Sequence, residues 1–128
     1  MYKRQVWGHN SHLMKKTSSG AFRGKVFGEF VFENFGDDMY CVGQYTGQGE
    51  IEHMPGQVRK LAQKVGFLEK YIVENIKDVC LYKKLDLPVF NDPIKHMVCG
   101  GENVEELILA DHYHGVILHE NGSTPTRF

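Results

Sequence analysis

Apolar positions along the chain fall into short runs punctuated by glycine, and their spacing changes several times. Val6-Trp7 is an apolar pair running into Gly8, which reads as the end of a buried strand turned by the glycine. Residues 15–24 are polar and rich in Ser and Gly, a loop composition. Phe27, Phe30, Val31 and Phe35 then recur at helical spacing and predict a helix over 25–35, with Gly36 placed to end it in a left-handed conformation. Met39-Tyr40-Cys41-Val42 is a continuous apolar run, the mark of a strand buried on both faces. Strand, loop, helix and strand in that order imply a crossover between parallel strands.

Residues 43–49, Gly-Gln-Tyr-Thr-Gly-Gln-Gly, read as a glycine-rich loop after that strand. They lack the Lys-Ser/Thr of a phosphate-binding loop and do not match G-x-G-x-x-G, so nucleotide binding is disfavoured. Pro55 at a first turn and Val58, Leu61, Ala62 and Val65 on one face predict a helix over 55–65. Phe67, Leu68, Tyr71, Ile72 and Ile76 suit a second helix, followed by a short strand or loop at 79–82. Two prolines make 87–93 irregular. Early acidic residues favour a short helix over 102–110. Residues 115–119 read as a last buried strand, with Asn121-Gly122 as a turn. The fold class expected is α/β, a small and mostly parallel sheet with flanking helices.

A chain of 128 residues makes one domain. Hydrophobic residues at 41%, charged residues at 24% and a formal net charge of -1 describe a globular chain with no basic surplus for nucleic acid. No apolar run approaches the roughly 18 residues that would span a bilayer, and no secretory signal opens the chain. Cys41, Cys80 and Cys99 are odd in number and widely spaced, which fits free thiols in a reducing, cytoplasmic setting. Met1 to Gln5 has the character of translated read-through, so residues 1–5 read as a non-native extension of a domain beginning at residue 6.

The densest chemistry lies in Val6-Trp7-Gly8-His9-Asn10-Ser11-His12. Histidine is the side chain whose unperturbed pKa lies near neutrality, and His9 and His12 sit three apart, so on a turn they can share one task. One imidazole takes a proton from water while the other, or the Asn10 amide, steadies the developing charge. Ser11 has no G-x-S-x-G elbow around it and reads as a loop or cap residue. Lys15, Lys16 and Arg23 could meet an anion, though a solvated loop is the simpler reading. A different reading makes His9 and His12 ligands of a metal or haem, with His53 or Glu50 as a third ligand. A third makes the chain a non-catalytic remnant.

The same block resembles the V-W-x-H-N-x-H block of the erythromycin esterase family. Gly28-Glu29, Phe35-Gly36-Asp37-Asp38 and Met39 to Gly43 are similar to a G-x-x-L…F-G-D-x-x-Y-x-V-G run of that family. His112 to His119 resembles its closing F-D-A-V-I-H strand, with His114 standing where the family tends to have Asp. The resemblance implies a metal-independent hydrolase without a cofactor, opening cyclic esters such as macrolide lactones by histidine-activated water, with His9 and His12 lining the cleft. It also implies that residues 6–128 are the C-terminal portion of a larger α/β hydrolytic domain. The family's G-E-x-x-H-G block lies upstream in such proteins and is not in this sequence. The partners expected are therefore a small-molecule ester and the missing N-terminal part of the domain, with no membrane and no nucleic acid.

Overall fold

A computed structural model describes residues 4–18, 24–98 and 103–123, with backbone alone for His53 and Met54. The elements run α1 (Asn10–Leu13), α2 (Phe27–Phe35), a 3-10 turn (Gly36–Asp38), β1 (Val42–Met54), β2 (Gln57–Lys60) and α3 (Leu68–Asn75). They continue as β3 (Val79–Tyr82), α4 (Pro88–Asn91), β4 (Ile94–Val98), β5 (Asn103–Leu107), α5 (Leu109–His112) and β6 (Gly115–Gly122). Four strands form one sheet in the order β2-β1-β6-β3, and β4 and β5 form a separate hairpin.

The α/β class is as expected. Parallel pairing is confined to the centre of the sheet, where Val42 to Gly49 of β1 runs beside Gly115 to Gly122 of β6. The outer pairings, β1 with β2 and β3 with β6, are antiparallel. Val116 and Leu118 of β6 are fully buried and meet Leu68 and Ile72 of α3 in one core with Phe90, Leu109 and Tyr113.

Several segments differ from their sequence reading, each for a local reason. Val6-Trp7 is not a strand: neither residue is in regular structure, and their side chains are 62% and 81% exposed. The glycine-rich stretch 43–49 is the first half of β1 rather than a loop. Gly43 and Gly47 share the inward face of that strand, where a Cβ would press on the Tyr113 ring at 3.0 Å and on Ile72 at 2.7 Å. Their missing side chains let the ring and α3 approach the backbone. Residues 55–65 are not a helix. Gly56 has φ 82°, which the third position of a type II turn requires after proline, so Pro55-Gly56 turns β1 into β2. Residues 103–107 form β5 instead of a helix, and helical structure begins only at Leu109. Pro88 opens a single helical turn, α4, inside the stretch read as irregular.

Of the strand read at 39–42 only Val42 lies in β1, and Tyr40 is 57% exposed. Other readings hold. Residues 27–35 are helical, 68–75 are helical, 79–82 are a strand and 115–119 lie in β6. Gly36 ends α2 with φ 49° and ψ -120°, a positive-φ conformation other than the left-handed helical one expected. α2 sits hard against the end of α1: a Cβ on Gly28 would lie 2.1 Å from the Leu13 carbonyl oxygen. Among the described residues no helix is long and apolar enough to cross a membrane.

Candidate functional site

His9 and His12 come together on one helical turn. His9 is the extended residue that precedes α1, and its carbonyl accepts the His12 N–H at 2.9 Å. Both side chains are exposed, and their ring centroids stand 6.3 Å apart with a 40° tilt. That spacing is too wide for a direct bond between the rings and suits one water or one small polar group between them.

A single helical turn cannot stand alone, so its anchors matter. The Asn10 side chain supplies the main one. Its Oδ1 accepts the backbone N–H of Gln44 at 2.9 Å, and its Nδ2 donates to the Gln44 carbonyl. One amide thus pairs with both backbone groups of one residue, as a neighbouring strand would. It does so on the edge of β1 away from β6, at a level that β2, paired only from Glu50 onward, does not reach. The Asn10 amide oxygen and one of its two Nδ2 hydrogens are therefore engaged by the sheet. Farther along α1, the Cys41 thiol donates to the Leu13 carbonyl at 3.0 Å, and the Lys15 N–H donates to the His112 carbonyl at 2.8 Å. Burial pushes the Cys41 thiol up to about 11, so at neutral pH it is a packing group and not a nucleophile.

The basic residues after the turn have internal engagements. Lys15 lies over the Phe32 ring, 5.8 Å from its centroid, and Lys16 pairs with Asp111 at 3.9 Å. Arg23 lies outside the described residues. The metal or haem reading is not supported by position. Glu50 lies six residues beyond Gln44, about 20 Å along the strand, and the side chain of His53 lies outside the described set. Among the described residues no group of three His, Cys, Asp or Glu side chains is placed to hold a metal.

His114, the departure from the family pattern, has a defined role. Its Nδ1 accepts the Cys41 N–H at 2.9 Å, so its proton sits on Nε2, and its ring stacks on Tyr40 with centroids 5.6 Å apart. Burial, reinforced by the Lys15 charge and opposed by Asp37, holds its pKa below the usual histidine value. An acceptor is what an aspartate would also present to the Cys41 N–H.

A second concentration of titratable groups escaped the sequence reading. His96 on β4 and Glu105 on β5 are directly opposed, nearly fully buried, and joined from Nε2 to Oε2 at 3.2 Å. The other His96 nitrogen faces the Met97 carbonyl at 3.2 Å. The His96 bond, opposed by burial, holds the Glu105 carboxyl below its usual range. Glu69 on α3 accepts the Met97 N–H at 2.8 Å and fastens the hairpin to the helix, while burial raises its pKa. Tyr45, beside Gln44 but pointing to the opposite face, sets its ring edge against His96 and its hydroxyl 3.2 Å from that of Tyr113. This cluster is closed in the core, whereas the histidine turn is open.

The erythromycin esterase family profile matches residues 2–71, which include α1, α2, β1, β2 and the histidine block. The chain belongs to the erythromycin esterase family. Solved structures extend the likeness beyond Tyr71 at the level of fold. A succinoglycan biosynthesis protein superposes with a TM-score of 0.77 at 17% identity, over 92% of this chain and 33% of its own. A Bacillus cereus protein gives 0.74 at 16% identity, over 92% and 33%. An erythromycin esterase mutant, EreC in its open conformation, gives 0.53 at 17% identity, over 86% and 30%. This esterase-family chain thus spans about a third of the length of those structures. A search of curated protein sequences finds no match.

Proposed function

We propose that this chain carries the histidine wall of an ester-hydrolysing site. His9 or His12 removes a proton from the attacking water, and the other imidazole holds the charge that develops on the carbonyl oxygen. The observation that carries the reading is the presentation of both exposed imidazoles on one clamped turn, inside the segment that matches the esterase family. The substrate class proposed is a cyclic ester such as a macrolide lactone, and the erythromycin esterase among the structural neighbours supports that choice. The carboxylate that would orient the base is assigned to the part of the family fold that this third does not span. The isolated chain is accordingly proposed to turn over slowly or not at all.

The test is a chimera in which this chain replaces the corresponding third of full-length EreC, assayed by lactone opening. Loss of a general base or of a charge-stabilising partner costs about 100-fold or more in kcat/KM. His9→Asn and His12→Asn should each reach that loss with the fold intact by circular dichroism. A folded chimera that keeps its rate with both histidines replaced would end the proposal.

A further inference from the structure

α2 buries Gly28 and turns aromatic residues outward. Phe27, Phe30 and Phe35 are 54%, 61% and 62% exposed. At 100° per residue they share one side of the helix, and the charged residues lie on the other. There Glu29 is bonded to Thr17 and Glu33 to Lys25, so no charge of α2 is left to solvate the aromatic side. Trp7, 81% exposed, leads into α1, and α1 abuts α2 through Gly28. With aromatic side chains of 150–250 Å² each, the three phenylalanines leave about 300 Å² of apolar surface in water and Trp7 about 200 Å² more, a size at which exposed apolar surface on a monomer is often functional.

We infer that this aromatic side of α2, with Trp7, is the surface on which the remaining two-thirds of the esterase-family fold packs. The inference rests on the reading of the chain as one wall of a larger site. Its occupant is chosen from length: the structures that share this fold over 92% of the chain are about three times as long. Their extra polypeptide must lie against this third somewhere, and the aromatic side of α2 carries no charge of its own, its one polar side chain, Asn34, being bonded to the Phe30 carbonyl. Trp7 stands two residues before His9, so a segment resting there also lies beside the histidine turn.

Hydroxyl-radical footprinting of the isolated chain and of the EreC chimera tests this without turnover. Trp7, Phe27, Phe30 and Phe35 should be oxidised at least fivefold less in the chimera, while Val65, 91% exposed, changes little. Equal oxidation in both proteins overturns the inference, as does protection in the isolated chain accompanied by dimerisation, which would make a second copy the occupant. A protected but inactive chimera would overturn the catalytic reading and keep this one; an active chimera with oxidised rings would do the reverse. Should the chimera not fold, Phe30→Asp in the isolated chain decides. An unchanged urea midpoint supports an unpartnered face, and a lowered midpoint overturns it by showing the ring packed within the chain.

Discussion

Removing the Asn10 amide should free the histidine turn from the sheet without unfolding the sheet. Asn10→Ala deletes two side-chain to backbone bonds, both to Gln44. At about 0.5–1.5 kcal/mol each, the clamp is worth about 1–3 kcal/mol, or roughly 5- to 150-fold in the opening equilibrium of that contact. The assay is native-state hydrogen exchange by NMR. The Gln44 amide, whose acceptor is Asn10, should exchange about 10- to 100-fold faster. The Val116 amide on the buried strand β6 should keep its rate. Asn10→Asp sharpens the test, because an ionised carboxylate still accepts the Gln44 N–H but confronts its carbonyl with negative charge. Protonation below about pH 4 restores a donor, so Gln44 protection should recover there in Asn10→Asp and not in Asn10→Ala. Gln44 exchange within threefold of wild type in Asn10→Ala would refute the clamp. Equal acceleration at Gln44 and Val116 would show that Asn10 acts on global stability instead.

Other predictions concern the core. His96→Ala removes the partner of the buried Glu105 carboxylate and should cost about 3–5 kcal/mol in urea unfolding, while His96→Leu with Glu105→Met should recover most of it; equal losses in single and double variants would contradict the pairing. Glu69→Gln keeps an acceptor for the Met97 N–H and removes a charge that burial disfavours, so the urea midpoint at pH 7 should hold or rise, by about 1 kcal/mol at most, and a large fall would be contrary. The depressed His114 pKa means that the unfolded chain binds the proton more readily. The stability it contributes is complete above the unfolded value of about 6.5 and is lost as pH falls through the folded value. His114→Asp, which keeps an acceptor for Cys41, should flatten that loss between about pH 7 and 5 in thermal melts. Gly28→Ala should separate α1 from α2 and lower stability by about 2 kcal/mol or more, because its Cβ would meet backbone rather than a side chain that can move.

The histidine block was legible because its chemistry is local: two imidazoles three apart need only a turn, and the chain makes one. The Asn10 clamp was not, since its partner is 34 residues away and nothing near Gln44 announces it. The buried cluster was hidden by its own charges. Glu105 lies inward with Leu107 in period 2, yet an acidic residue reads as solvent-facing until its opposing histidine is known. Helix signals failed where glycine and proline meant something else. Pro55 begins a turn because Gly56 follows it, a dipeptide cue that outweighs the helical spacing of Val58, Leu61 and Val65. The glycines of 43–49 mark close packing against Tyr113 and Ile72, a pattern indistinguishable in sequence from a flexible loop.

β1 changes partners at Gly49. Up to that residue it pairs with β6, and from Glu50 onward it pairs with β2. Gly49 has φ 117°, and a side chain there would collide with the Gly122 carbonyl oxygen at 2.0 Å. One strand therefore serves two partners in turn, with the histidine turn fastened to its first part and the Pro55-Gly56 tip carried by its second. That tip is a natural attachment point: a peptide tag or fluorophore spliced into it would ride on the outlying ribbon and leave the register between Gln44 and Asn10 untouched.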